Sequence, residues 1–344
     1  MKYAKDASLL VARIANPFLR SELDDQQLAA DLLDIAVDIA AKNRILPLFY
    51  WRCKGLSIRL PQKAERLMEE NLRRQIEQQR QIAFVAELGN KMKIEFFFFK
   101  TFRPFTYVPD DIDIVLREPA ELRMLTRALI ENGYRLLKIG TPEVTMRKIV
   151  DDTRIDLDIH TTLSVGHLRL MGNSRVWDSV TSKRLEDGYS VRILNRQCEA
   201  IITAGYALLK DFTVTIPVLY LATDVLLNQD IARLESMAEA DGLNVPLQIL
   251  LSTAKSINQI LWPEVQQADI SSNWFIKKII DADLRSGLSI PYAFPGFAVA
   301  YAYLAKARSE LDRHNIGVLG QLIRQPSSKG IGILADYLRL LKEK

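Results

Sequence analysis

The chain has 344 residues, enough for two or three domains with a large apolar core. Apolar residues make up 48% and charged residues 26%, which excludes disordered and collagen-like proteins, and a net charge of +4 is too small to require a nucleic-acid partner. With 2 cysteines and 3 histidines, neither a disulfide framework nor a zinc site of Cys and His pairs is expected.

Helical periodicity dominates the chain before Ile94. Apolar side chains recur at close to a 3.6-residue period over 26–43, a second helix is predicted from Leu46, and a long one from Pro61 to about Leu88. No signal-peptide pattern follows Met1, and no apolar window reaches the roughly 20 residues of a spanning helix. These features predict a cytoplasmic protein without a membrane partner.

The pattern changes from helix to strand at Ile94. The run from Ile94 to Phe99 is apolar and β-prone, as expected for a strand covered on both faces. A helix is predicted between Pro119 and Gly133, where glycine is a favourable C-cap. Further strands are predicted at Asp111–Leu116, Tyr134–Ile139, Val144–Val150 and Arg154–His160.

Beyond Gln197 the apolar residues return to helical spacing. The sequence therefore predicts an α+β protein in which a small mixed sheet with helices is flanked by helical regions at both ends. The predicted domains are an N-terminal helical region at 1–60, a sheet-containing core at 61–192 and a C-terminal helical domain at 193–344. The role of the last hundred or so residues is not indicated by any motif.

Two of the predicted strands carry paired carboxylates. Alternate residues of a strand share a face, so Asp111 and Asp113 project together, as do Asp156 and Asp158. If the two strands are neighbours, opposite Cβ atoms lie about 4.5–5.5 Å apart. Clustered carboxylates suit Mg²⁺, and two such ions about 3.5–4 Å apart can support an in-line phosphoryl or nucleotidyl displacement.

A structural interpretation is also open. Two strands with aspartates on a wet face are compatible with the exposed side of a half-solvated sheet that holds no metal. Aspartate is depleted in strands, which makes two Asp-x-Asp strands an unusual choice for solubility alone. His160 lies on the same face as Asp158 and is expected to orient that acid, to contact phosphate, or simply to hydrogen bond to a neighbouring acid.

The order of these motifs resembles the polymerase-β-type nucleotidyltransferase superfamily. The matching segments are Phe98-Phe99-Lys100-Thr101, the Asp-Asp-Ile-Asp-Ile-Val-Leu run at 110–116 and the Ile-Asp-Leu-Asp-Ile-His run at 155–160. The most similar branch is the uncharacterised nucleotidyltransferases with Leu-Lys-Gly, Asp-Ile-Asp and Asp-Leu-His motifs. The resemblance extends over about 40–230 and implies a nucleotidyltransferase-type sheet in a nucleotidyltransferase-like core at 61–192.

The resemblance implies a role for each acidic residue. Asp111 and Asp113 would hold both Mg²⁺ ions, for which Mn²⁺ can substitute. Asp158 would be the third carboxylate, holding the catalytic metal and helping to deprotonate the acceptor hydroxyl. Asp156 lies on the same face and competes with Asp158 for this role, so it remains a candidate metal ligand.

Lys100, Thr101 and His160 are the candidate nucleotide-binding residues, the first two from the resemblance and His160 from its position on the acidic face. Lys100 matches the motif lysine and would pair with the triphosphate, and the Thr101 hydroxyl would replace a motif serine. The superfamily places glycine after its first strand, whereas this chain has none between Lys100 and Asp113. Without glycine, a positive φ is more costly, and close approach of the backbone to phosphate is less secure.

These observations lead to one functional hypothesis and two alternatives. The first is a Mg²⁺-dependent nucleotidyltransferase that moves an NMP from an NTP, such as ATP, to an acceptor hydroxyl and releases pyrophosphate. The acceptor is not indicated and can be RNA, protein or a small molecule. The alternatives are a catalytically silent binding or interaction protein with the same fold, which the missing glycine favours, and a toxin-like enzyme that modifies tRNA.

Overall fold

The computed structural model describes residues 2–19, 29–140, 143–166, 168–185, 188–270 and 274–312. These residues form two compact units. The sheet unit contains the described residues of 27–163 and 173–199, and the helical unit contains those of 1–26, 164–172 and 200–344. In the predicted C-terminal domain, 271–273 and 313–344 lie outside the described residues.

The secondary structure confirms the α+β class, with helical regions before and after the sheet. The helices are α1 (Lys2–Ile14), α2 (Ala30–Lys42), α3 (Leu46–Gly55), α4 (Gln62–Met92), α5 (Leu122–Glu131), α6 (Asn173–Asp178), α7 (Arg196–Tyr206), α8 (Ile216–Asn228), α9 (Ile231–Glu239), α10 (Asn244–Leu261), α11 (Trp274–Gly287) and α12 (Gly296–Asp312). A short 3-10 helix (Pro119–Glu121) precedes α5, and a π-helical turn (Ala207–Asp211) follows α7.

The strands are β1 (Phe96–Phe99), β2 (Asp111–Leu116), β3 (Arg135–Ile139), β4 (Glu143–Val150), β5 (Thr153–His160), β6 (Ser164–Val165), β7 (Leu168–Arg169), β8 (Val180–Arg184), β9 (Ser190–Leu194), β10 (Thr213–Val214) and β11 (Tyr292–Ala293). Seven of them form one mixed sheet in the order β3-β4-β5-β2-β1-β9-β8. In this sheet β2 pairs parallel with β5 and β1 parallel with β9, and the other neighbours are antiparallel.

One face of this sheet packs against α4 and α5. The apolar side chains that meet there include Ile82, Val85, Phe96, Phe98, Ile112, Ile114, Leu125, Leu129, Ile155, Leu157 and Ile159. Fully burying a side chain of this size stabilises the fold by about 1.5–3 kcal/mol. Because side chains alternate along a strand, this packing directs the aspartates of β2 and β5 to the opposite face.

Gly89 permits the close approach of α4 to β1. A Cβ atom at this position would lie 2.3 Å from Cε1 of Phe96, well inside van der Waals contact. The prediction that β1 is covered on both faces is confirmed, since all four of its phenylalanines are buried. The central strands are therefore held rigidly from the core side.

The helical unit has its own core, in which α10 packs against α8, α9, α11 and α12. The Tyr220 hydroxyl on α8 donates to the carbonyl of Ala12, 3.1 Å away, which ties α1 into this unit. Lys306 and Glu310 of α12 form a buried ion pair with a 2.7 Å separation. No helix among the described residues is long and apolar enough to cross a membrane.

Candidate metal centre

The two acidic strands lie side by side near the centre of the sheet. In the parallel pairing of β2 and β5, Asp111 is opposite Asp156 and Asp113 is opposite Asp158. The apolar residues between them enter the core, so all four aspartates project from the other face. The predicted juxtaposition of the two strands is confirmed.

Three side chains on this face are close enough to hold one metal ion: Asp113, Asp158 and His160. One ligand atom from each lies within 4.8 Å of the others. The Nε2 atom of His160 is 2.9 Å from Oδ1 of Asp113, and both residues are buried. Oδ1 of Asp158 is also buried and has no hydrogen-bond partner among the described residues. An unpartnered buried carboxylate oxygen is costly, and a bound cation would supply the missing interaction.

The chemistry of these three side chains fits a hard divalent cation. Carboxylates favour Mg²⁺ and Mn²⁺, which makes Asp113 and Asp158 the principal candidate ligands. His160 either adds a nitrogen ligand or donates the hydrogen bond that orients Asp113. The ring of Phe99 packs edge-on against His160 with 5.3 Å between centroids, which restricts the orientation of the imidazole.

Asp111 lies outside this group of three but is electrostatically linked to it. Burial, followed by the negative charges of Asp113 and Asp158, raises the pKa of Asp111 to about 7, although Lys100 opposes the shift. Burial also raises the pKa of Asp158. The raised pKa values of Asp111 and Asp158 reflect an excess of negative charge on this face, and a divalent cation would relieve this repulsion.

Asp156, the alternative third carboxylate, is engaged elsewhere. Nε and Nη2 of Arg147 lie 2.7 and 3.0 Å from its two oxygens, and Nε of Arg154 lies 2.9 Å from Oδ2. Burial raises its pKa, but the hydrogen bonds from Arg147 and Arg154 outweigh this and hold the pKa below its usual value. Two guanidinium groups thus neutralise Asp156, and the geometry favours Asp158 as the third carboxylate.

The turn after β1 adopts a positive φ without a glycine. Lys100 has a φ of 57°, in the left-handed region. The Thr101 hydroxyl donates to the carbonyl of Phe99 at 3.2 Å and accepts the backbone N–H of Asp113 at 3.3 Å. Thr101 therefore ties β1 to β2, beside the metal-ligand candidates, and its proposed contact with phosphate stays a prediction.

The positive φ of Lys100 leads to a stability prediction. We expect Lys100→Gly to be more stable than Lys100→Ala by about 0.5–1 kcal/mol, because a left-handed conformation costs about 1–2 kcal/mol for a residue with a Cβ and glycine loses part of this gain through unfolded-state entropy. Both variants lose the same charge, so they form a matched pair. Urea denaturation of the two proteins measures the difference, and an alanine variant as stable as the glycine variant would contradict this account.

Several neighbours of the site are absent from the sequence-based prediction. Glu143 and Thr145 of β4 lie opposite His160 and Asp158, and Thr145 hydrogen bonds to Asp158. The alternation of polar and apolar residues along 143–147 is the signal that could have placed them on this face. Glu199 forms a buried ion pair with Arg103, 2.9 Å apart, and no local signal indicates this contact across 96 positions of the sequence.

Two comparisons with known proteins found no match. No protein-family model matches the chain. No curated protein matches it either. The function proposed below is therefore supported by the geometry of β2 and β5 and by the sequence motifs.

Proposed function

We propose that the protein is a Mg²⁺- or Mn²⁺-dependent nucleotidyltransferase with a polymerase-β-type core. One observation carries the proposal: the parallel register of β2 and β5 brings Asp113 against Asp158 and leaves a buried Asp158 oxygen without a partner among the described residues. Asp113, Asp158 and His160 would hold one divalent ion, and Asp111 supplies a further carboxylate beside them. A bound ion would polarise the α-phosphate and stabilise the charge that develops on it.

The reaction exchanges one phosphoanhydride bond of the NTP for one new phosphate ester bond. The acceptor oxygen forms a bond to the α-phosphorus of the NTP while the bond to the bridging oxygen of the β-phosphate breaks, and pyrophosphate leaves. The Asp158 carboxylate receives the proton of the acceptor hydroxyl, as the resemblance implies. Asp113, the other carboxylate ligand in this proposal, is held in position by His160 on one side and by its backbone contact with Thr101 on the other.

Positive charge for the triphosphate is present near the end of β1. Lys100, Arg103 and Lys183 surround the buried carboxylate of Glu199, and all three oppose the rise in its pKa that burial causes. Three positive charges face one negative charge, so the group has an excess that suits phosphate oxygens. Lys183 lies on β8, so this outer strand supplies one of the three positive charges.

The test is transfer of label from each α-labelled NTP, in Mg²⁺ or Mn²⁺, to pools of RNA, protein and small hydroxylated acceptors. We expect a labelled acceptor with the wild-type protein, none in EDTA and none with the Asp113→Asn/Asp158→Asn double variant. Asp31→Asn, which changes an exposed carboxylate on α2, is the matched control and should retain transfer. Transfer that persists in the double variant, or that fails with every NTP and acceptor pool, would contradict the proposal.

A second candidate is a nucleotidyltransferase-fold binding protein without catalysis. It is favoured by one observation: the backbone of Lys100, where the family would approach phosphate, is hydrogen bonded to the Glu199 carboxylate. Calorimetric titration with Mg²⁺-ATP and Mg²⁺-GTP, combined with the transfer assay, separates the two. Binding without transfer supports this second candidate, and binding with transfer rejects it.

A further inference from the structure

Four arginines surround two aspartates near the N-terminal ends of the central strands β2 and β5. We refer to them as the arginine cluster: Arg44, Arg74, Arg147 and Arg154, with Asp110 and Asp156 between them. All six residues belong to the sheet unit. None of them takes part in the group of Asp113, Asp158 and His160.

The cluster is built from four separate elements of the chain. Arg44 follows α2 and pairs with Asp110, and Arg74 of α4 lies 3.6 Å from the same carboxylate and also donates to the Asp110 carbonyl. Arg147 of β4 and Arg154 of β5 share Asp156. The group around Asp110 lies beside the group around Asp156, because Asp111 is paired with Asp156 in the sheet. Arg154 and Asp156 accordingly affect the pKa of Arg74.

Positive charge and donor groups are in excess. Four guanidinium groups face two carboxylates, and the Nε atoms of Arg44 and Arg74 are buried without a hydrogen-bond partner among the described residues. Burial, then the adjacent charge of Arg44, lowers the pKa of Arg74. The cluster is nevertheless open to solvent, since the exposed fractions of the four side chains run from 25% for Arg74 to 60% for Arg154.

Guanidinium groups that repel one another around unpartnered donors form a site for an anion with several oxygens. Phosphate matches the planar fork of arginine in a bidentate manner, which a lysine cluster would not do. Asp156 is two residues from Asp158 along β5, so their Cα atoms lie about 6.6 Å apart. The guanidinium groups that pair with Asp156 therefore lie near the candidate metal ligand Asp158.

We propose that the arginine cluster binds the phosphate backbone of a single-stranded nucleic-acid acceptor and so places its terminal ribose hydroxyl beside Asp158. The proposal rests on the proposed function, because it supplies the acceptor for the same site. Because the side chain of Arg154 is exposed, a nucleic-acid strand can continue past the arginine cluster on this side. A small phosphorylated acceptor would use the same arginines but would not extend beyond them.

The test is binding of a short fluorescein-labelled single-stranded RNA, measured by fluorescence anisotropy in EDTA at several salt concentrations. We expect Arg154→Gln to weaken binding about five-fold at 0.1 M salt and to reduce the slope of log K against log salt by about 0.7, as loss of one phosphate contact predicts. Arg147→Gln should have a similar effect. Arg127→Gln, on α5 with 83% of its side chain exposed, is the matched control and should leave affinity and slope unchanged.

Three outcomes would overturn the proposal. The first is absence of RNA binding, and the second is an equal loss of RNA affinity in Arg154→Gln and Arg127→Gln. The third is complete competition by millimolar inorganic phosphate together with equal affinity for shorter and longer RNA, which indicates a small phosphorylated ligand instead. The melting temperature of each variant checks that it is folded. Because binding is measured without metal or NTP, nucleotidyl transfer without RNA binding rejects only the cluster assignment, and cluster-dependent binding without transfer rejects only the enzymatic function.

Discussion

Replacing Asp113 with asparagine is expected to weaken Mn²⁺ binding by about 100-fold or more and to reduce nucleotidyl transfer to background. Asp113 supplies one of the candidate ligands, and it is also the hydrogen-bond partner of His160. The substitution therefore removes an anionic ligand and disturbs a second group at once, and loss of a neighbouring hydrogen-bond partner alone typically costs 10–100-fold in metal affinity. Isothermal titration with Mn²⁺ measures the affinity directly, independently of any acceptor.

The neighbouring aspartates give this experiment its internal comparison. Asp158→Asn should weaken Mn²⁺ binding as well, but it leaves the contact between Asp113 and His160 in place. Asp156→Asn should have a much smaller effect on Mn²⁺ affinity, because that carboxylate is already held by Arg147 and Arg154. Equal losses in all three variants would show that the ion is bound by general negative charge on this face and not by the proposed ligands.

Asparagine at position 111 is expected to stabilise the metal-free protein, with a gain that grows as the pH rises above about 4 and is complete above about 7. Burial and two nearby carboxylates raise the pKa of Asp111 from 3.8 to about 7, so its ionisation disfavours the folded state. The wild-type protein therefore loses stability as the pH rises from about 4 through 7, and below the unfolded-state pKa this penalty is absent. The shift sets an upper limit of about 4 kcal/mol on the gain from Asp111→Asn, and solvent screening reduces the expected gain to about 1–3 kcal/mol.

Urea denaturation in EDTA at pH 4 and at pH 8 tests this expectation. Asp111→Asn should lie within about 0.5 kcal/mol of the wild type at pH 4 and exceed its free energy of unfolding clearly at pH 8. Saturating Mn²⁺ should narrow or reverse the difference at pH 8, because the bound ion stabilises the wild-type protein by mass action. A gain of equal size at both pH values would show that the effect comes from packing and not from ionisation of the carboxyl.

The acidic strands could be placed from the sequence because their signal is local. Period-two alternation fixes both the extent and the facing of a strand, and β2 covers the same residues that the pattern predicts, while β5 differs by one. The choice between Asp156 and Asp158 could not be made in this way. It depends on the β4–β5 hairpin register that brings Arg147 opposite Asp156, and nothing in the local pattern of β5 reveals this partner.

Other features depend on contacts between distant parts of the chain. β8 has a single apolar residue, Val180, so it lacks the alternation that identifies β2, and it joins the sheet only through β9, which pairs with β1 at Phe98 and Ile193. The described residues of 1–26 lie in the same unit as those of 200–344, although the two segments are far apart in the sequence. Such long-range grouping leaves no signature in the periodicity of either segment.

The sharing of Asp156 by two arginines has a consequence for how this sheet tolerates mutation. Arg147 on β4 lies one strand from Asp158 on β5 and two strands from Asp111 on β2, and Asp156 keeps its guanidinium group occupied. A neutral residue at 156 would remove the shared partner of Arg147 and Arg154 and would leave Asp113, Asp158 and His160 in place. The charge pattern at positions 147, 154 and 156 can therefore vary in evolution independently of the group of Asp113, Asp158 and His160 and of the core behind the sheet.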